Sequence, residues 1–101
     1  MASYHDTRSL FDDIVRFARN EGILKDEEPF SDAVDLKITP YRTGQLAIDD
    51  VGPTGAPQYR VIFMITVDAY AGPVRPHPAP IDLTNDAPEV AFDRIKEFAT
   101  T

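Results

Sequence analysis

The chain contains no cysteine, and its 101 residues include only two histidines. Without cysteine, disulfide bonds, thiol nucleophiles and cysteine-ligated metals are excluded. No apolar run approaches the roughly 20 residues that a membrane-spanning helix needs. The N-terminal residues also lack the basic and then apolar pattern of a secretion signal. We therefore expect one unprocessed, soluble domain over residues 1–101 with no membrane role.

Basic residues are also scarce. Ten Lys and Arg oppose 17 Asp and Glu, which gives a net charge of −7, and the basic residues form no cluster along the chain. Direct, sequence-specific binding of nucleic acid is therefore not expected. Asp outnumbers Glu 12 to 5, and Arg outnumbers Lys 7 to 3. That balance is typical of a halophilic protein in high salt and also of codon usage in a GC-rich genome, and both interpretations stay open.

Motifs for phosphate or metal binding are absent. The sequence VGPTGAP has two glycines but matches neither GxGxxG nor GK[ST]. The acidic pairs, Asp12 with Asp13 and Asp49 with Asp50, lack the spacing of a calcium loop. We interpret these four carboxylates as a hydrated acidic surface. The sequence thus predicts no cofactor, no metal and no catalytic residue.

One alternative is a small ligand-binding or lyase-like domain. His77 lies in a proline-rich segment that follows Asp68, and a His–Asp pair can act in acid–base catalysis. Tyr70 and Arg75 lie close to this pair in the sequence. Because the sequence places no nucleophile or second base beside it, we interpret His77 as an exposed loop residue and expect no enzymatic activity.

The most regular feature present is a long alternating segment. Residues 59–70 read YRVIFMITVDAY, and every odd position is apolar. Because successive side chains of a strand point to opposite faces, this pattern predicts a strand with one fully buried face. The other face carries Ile62 and Met64 in its middle and Tyr70 near its end. Apolar surface left bare on a small domain usually marks an interface, so we predict that these three residues contact another protein.

Helices are predicted at both ends of the chain. Ser9 with Asp12 forms a capping-box pattern, and the apolar spacing that follows predicts a helix that ends near Glu21. Pro88 suits the first turn of a C-terminal helix. A backbone N–H in that turn has no partner within the helix, so proline, which has no N–H, loses no hydrogen bond there.

Two shorter strands complete the fold. Alternation predicts strands over residues 33–39 and 45–49, with a turn at residues 41–44 between them. Three strands in succession most economically pair as an antiparallel meander, with two open edges. We predict an α+β domain with a three-stranded antiparallel sheet, to which a short fourth strand can be added. The N-terminal and C-terminal helices are expected to pack on one face of it.

This layout resembles the tail-terminator and head–tail joining subunits of tailed viruses. The likeness covers residues 9–99 and lies in the order and length of the elements, including the long strand and the final helix, PEVAFDRIKEFA. It implies a non-enzymatic virion protein that forms a homo-oligomeric ring through sheet edges and the apolar sheet face, and that contacts other structural proteins. It also implies that the acidic surface faces a lumen and repels DNA phosphates. A cytoplasmic acidic inhibitor that mimics nucleic acid is the second alternative.

Overall fold

The fold is a four-stranded antiparallel sheet with two helices on one of its faces. The computed structural model describes residues 3–24, 32–68 and 79–100, and it gives only the backbone of residues 67, 68 and 100. The elements, in chain order, are helix α1 (Tyr4–Glu21), strands β1 (Ala33–Lys37), β2 (Arg42–Asp50), β3 (Tyr59–Asp68) and β4 (Ile81–Asp82), and helix α2 (Pro88–Thr100). The strands lie in the order β1-β2-β3-β4. The predicted α+β meander with a short fourth strand is therefore confirmed.

The core lies between the sheet and the helices. Odd-numbered residues of β3 supply its centre, since Val61 and Phe63 are fully buried and Ile65 is nearly so. Leu46 of β2 is opposite Phe63 and is equally buried. The ring of Phe98 in α2 meets the Phe63 ring edge-on, with 6.1 Å between centroids. The alternation that the sequence shows thus fixes which face of the sheet the helices cover.

Helix α1 begins at Tyr4, five residues before the predicted start near Ser9. Ser3, not Ser9, is the N-cap, and its Oγ accepts a hydrogen bond from the Asp6 backbone N–H at 3.1 Å. Ser9 is an exposed residue within the helix. The C-terminal end agrees with the prediction, because Gly22 takes the left-handed conformation (φ 72°) that ends a helix most easily. Neither described helix is apolar enough over a sufficient length to cross a bilayer.

Strand β2 also begins earlier than predicted. The turn expected at residues 41–44 is shorter, because Arg42 and Thr43 already pair with β3. Gly44 lies inside the strand, where a Cβ atom would come within 2.1 Å of Cζ of Phe63. A glycine that looks like a turn residue in the sequence is required here because the Phe63 ring covers its backbone.

Strand β4 is only two residues long, and Pro80 before it has no N–H to donate. Beyond the strand, the Leu83 N–H still donates to the Val61 carbonyl of β3 at 2.8 Å, and the chain then turns, with the Asp86 N–H bonded to the Leu83 carbonyl. Leu83 itself is fully buried and joins the core. Helix α2 starts at Pro88, as the sequence predicts.

Arg42 connects the sheet to the end of α2. The last turn of α2 contains no basic residue. One guanidinium nitrogen of Arg42, Nη1, instead donates to the Ala99 carbonyl at 3.2 Å. Carbonyl groups at a helix C-terminus carry partial negative charge, so a cation from the neighbouring strand stabilises the end of the helix.

Candidate functional site

The face of the sheet that points away from the helices is the first candidate surface, and we call it the outer face. The strand register places Ala33, Ala47 and Ile62 side by side across β1, β2 and β3. Met64 lies next to Ile62 on the same face, opposite Gln45 of β2. These five side chains are half-buried, and neither described helix packs against them. The outer face therefore carries an apolar row with small residues on one side, which suits close approach by another surface.

Charged side chains of both signs surround this row. Asp35 and Lys37 continue the outer face along β1, and Asp49 lies opposite Arg60 across β2 and β3. Asp82 of β4 lies beside Ile62 and pairs with Arg60, with 2.7 Å between Oδ2 and Nη1. Among the side chains that the structure describes, these three acids and two bases leave the outer face nearly neutral, although the whole chain carries a charge of −7.

The edges of the sheet are partly occupied by the chain itself. At the β1 edge, the Lys37 N–H donates to the Ile23 carbonyl at 2.8 Å, and Leu24 forms a bridge with Leu36. At the β4 edge, Arg94 donates to the Asp82 carbonyl at 3.3 Å. Backbone groups that already have partners offer less to an added strand. The outer face is therefore a stronger candidate for contact with other chains than the two edges are.

Two of the predicted acidic-surface residues lie on α1 and have arginine partners. Asp12 pairs with Arg8 at 3.0 Å, and Asp13 pairs with Arg16 at 3.2 Å. Exposed pairs of this kind contribute only about 0–1 kcal/mol to stability, but they offset the negative charge of the helix surface. The repulsion that the two carboxylates would exert on an approaching phosphate is reduced accordingly.

The other predicted acidic pair lies at the end of β2 and has a different role. Asp50 Oδ1 accepts backbone hydrogen bonds from Gly52 and Gln58, each at 3.0 Å. It therefore closes the loop between β2 and β3. Asp49 is exposed on the outer face. A continuous acidic surface through all four carboxylates stays a prediction, and three of the four have local partners.

A polar network around Asp82 was not foreseen from the sequence. Asp82 Oδ1 accepts from the N–H of Thr84 at 2.9 Å and from its hydroxyl group, while Oδ2 accepts from Arg60. Burial raises the pKa of Asp82, but the hydrogen bonds from Thr84 and the charge of Arg60 outweigh it and hold the pKa below its usual value. Arg94 bonds the carboxylate of Asp86 next to this network. The network fixes β4 against β3, and the spacing Asp-x-Thr was its sequence signal.

A second polar cluster ties α1 to the start of β1. The Tyr4 hydroxyl donates to Asp32 Oδ1 at 2.6 Å, and Arg8 donates to the same oxygen at 2.8 Å. The hydrogen bond to Asp32 raises the pKa of Tyr4, because a phenolate would lie beside a carboxylate. The Tyr4 ring also meets the Tyr59 ring edge-on at 5.3 Å. These contacts are long-range in sequence, and they explain why the helix extends to residue 4.

Several predicted site residues lie outside the described part of the chain. Tyr70, Arg75 and His77 belong to residues 69–78, and of Asp68 only the backbone is described. The alternative that pairs His77 with Asp68 therefore stays a hypothesis. Within residues 3–24, 32–68 and 79–100, no three acidic or histidine side chains come together in a way that could hold a metal ion.

Comparisons with protein-family models, with curated proteins and with solved structures find no match to this chain. The resemblance to tail-terminator subunits stays a hypothesis about element order. Function is therefore inferred from the surfaces described above.

Proposed function

We propose that this chain is a non-enzymatic assembly subunit that associates with copies of itself through the outer face of its sheet. The observation that carries the proposal is the apolar row of Ala33, Ala47 and Ile62, with Met64 beside it, on a face that neither described helix covers. Removing such a row from water favours association by roughly 25 cal/mol for each Å² of apolar surface.

Charge favours a second copy as the occupant of this face. Two strongly acidic surfaces would repel each other, but the outer face carries Lys37 and Arg60 together with Asp35, Asp49 and Asp82. Acids of one copy can therefore approach bases of the next. Such a mixed surface is self-complementary, which is what contact between identical chains requires.

The size of the face predicts weak association. The four strands, of 5, 9, 10 and 2 residues, lie about 4.8 Å apart and rise about 3.3 Å per residue, so the face presents roughly 400 Å². Standard stable interfaces bury about 800 Å² for each partner. We therefore expect an oligomer that dissociates at low micromolar concentration and forms at submillimolar concentration. Mass must be measured over that whole range.

The number of copies in the oligomer distinguishes self-association in general from the ring of a viral tail subunit. A face that packs on its own copy gives a dimer, whereas a face that packs on a different patch of the next copy gives a ring if the rotation closes and an open filament if it does not. The resemblance in element order favours the ring of a viral tail terminator or head–tail connector. A sixfold mass at high concentration would support that specific form, and a dimer would support self-association without it.

The test compares two substitutions that each replace an apolar side chain by aspartate, on opposite sides of the molecule. Met64→Asp places a charge in the apolar row, while Val90→Asp places one on the exposed surface of α2. Sedimentation equilibrium should show the first variant as a monomer at every concentration and the second as the wild-type oligomer. Thermal unfolding should find both variants folded. If Met64→Asp unfolds the chain, Met64 belongs to the core and the proposal is wrong.

A further inference from the structure

A groove with an aromatic floor lies on the helix layer, on the side of the sheet opposite the outer face. It is open to solvent, holds about 270 Å³, and is lined mainly by Phe17 and Glu21 of α1 and Glu89, Phe92, Asp93 and Lys96 of α2. The two phenyl rings lie with their centroids 5.8 Å apart and their planes at 49°.

The rim of the groove is acidic. Glu21, Glu89 and Asp93 contribute three carboxylates, and Lys96 is the single cation among the main lining residues. The side chain of Asp93 is 78% exposed and that of Glu21 is 47% exposed. An arriving group can therefore reach both carboxylates without a change in the fold.

A cation of the chain itself already occupies the aromatic floor. The Lys96 ammonium lies 4.8 Å from the centroid of the Phe92 ring, 3.1 Å from Glu21 Oε1 and 4.0 Å from Asp93 Oδ1. The guanidinium of Arg16 lies over the second ring, 5.5 Å from the Phe17 centroid. Both rings thus attract positive charge through their π faces, and the carboxylates add to that attraction.

We propose that this groove binds an arginine-bearing basic segment of a partner protein. A guanidinium is planar, stacks on an aromatic ring and pairs with carboxylates, so it matches the rim and the half-buried Phe17 ring. The Phe92 ring is only 5% exposed, and a guanidinium can reach it once Lys96 moves aside. A free small cation is a poorer occupant, because small-molecule sites bury most of their ligand and this groove is open. A second copy is disfavoured, because the chain has a net charge of −7 and no cluster of basic residues in its sequence.

Lys96 then acts as an internal competitor for the site. An incoming guanidinium must displace the ammonium from Phe92 and Glu21, or share their negative potential with it. Removal of the ammonium should therefore strengthen binding, while removal of a rim carboxylate should weaken it. A merely acidic protein would also respond in opposite directions to these two changes, wherever they are made, so the signature of a site is that both responses are larger in the groove than elsewhere.

The experiment uses the full chain and a fluorescent, end-blocked peptide of arginine and alanine residues, with binding followed by anisotropy at physiological salt. Asp93→Asn should weaken binding about two- to fivefold, and Lys96→Gln should strengthen it by a similar factor. The matched controls lie on the outer face. Asp49→Asn and Lys37→Gln make the same changes in net charge away from the groove, and each should alter binding less than twofold.

Three outcomes decide the proposal. Effects at Asp93 and Lys96 that clearly exceed those of Asp49 and Lys37 support it, provided that circular dichroism finds all four variants folded. Equal effects at groove and control positions would mean nonspecific attraction to an acidic chain and would overturn it. Equal affinity for a lysine–alanine peptide of the same length would also overturn it, because stacking of a guanidinium on the rings would then contribute nothing. Because Asp49 and Lys37 belong to the outer face, binding is measured at low micromolar chain concentration, at which the proposed self-association is not expected.

Discussion

The substitution Gly44→Ala tests the packing at the centre of the sheet. A Cβ atom at this position would lie 2.1 Å from Cζ and 2.6 Å from Cε1 of Phe63, and 2.8 Å from the Met64 carbonyl oxygen. Ordinary contacts between non-bonded carbon atoms are about 3.5–4.0 Å. The ring would therefore have to move by more than 1 Å. It is fully buried and packs against Phe98, so it cannot move freely.

The cost of this substitution can be estimated from opposing terms. Forcing an extra methyl group into a packed core costs typically about 1–3 kcal/mol, and a clash with both a buried ring and a backbone oxygen belongs at the upper end. Replacing a strand glycine by alanine recovers about 0.5–1 kcal/mol of backbone entropy. The net loss is about 2 kcal/mol, which lowers the melting temperature of a domain of this size by roughly 8 °C or more.

Thermal and urea unfolding of Gly44→Ala, Phe63→Leu and the double variant measure this effect. Because a leucine side chain lacks the ring atoms that meet the new methyl group, the double variant should lose less stability than the two single losses added together. A coupling of about 0.5 kcal/mol or more is expected for residues in contact. A Gly44→Ala variant that melts within about 2 °C of the wild type would refute the placement of the Phe63 ring over Gly44.

Two further predictions concern local hydrogen bonds. Ser3→Ala removes the N-cap of α1 and should cost about 1 kcal/mol in urea unfolding, whereas Ser9→Ala should change stability by less than about 0.5 kcal/mol. The pKa of Asp82 is lower in the folded state than in the unfolded state, so its carboxylate stabilises the fold at pH values above the unfolded pKa. That stabilisation is lost as the pH falls through the folded-state pKa. Asp82→Asn should therefore destabilise the chain most near neutral pH and progressively less in acid, and a pH-independent difference would contradict this.

Residues whose environment is set by neighbours in sequence were predicted well. The alternation of β3 identified Val61, Phe63 and Ile65 as core residues, and the position of Pro88 identified the start of α2. These features follow from side-chain period and from backbone chemistry, which are both visible in the sequence.

Features that depend on distant partners were not predicted. Helix α1 extends to Tyr4 because Asp32 and Tyr59 contact that residue, and β2 includes Gly44 because a ring from β3 covers it. No local pattern distinguishes a strand glycine under a ring from a turn glycine. The two candidate surfaces differ in the same respect. The positions of Ile62 and Met64 on the outer face follow from the alternation of β3, whereas the aromatic groove forms only where two helices meet.

The native mass of the wild-type chain, from micromolar to submillimolar concentration and in physiological and molar salt, tests the proposed function most directly. The apolar row on the outer face predicts a mass that rises with concentration to a dimer or a ring. Because burial of apolar surface drives the contact, the oligomer should persist in molar salt. A chain that stays monomeric at the highest concentration in both salts would contradict assembly through the outer face.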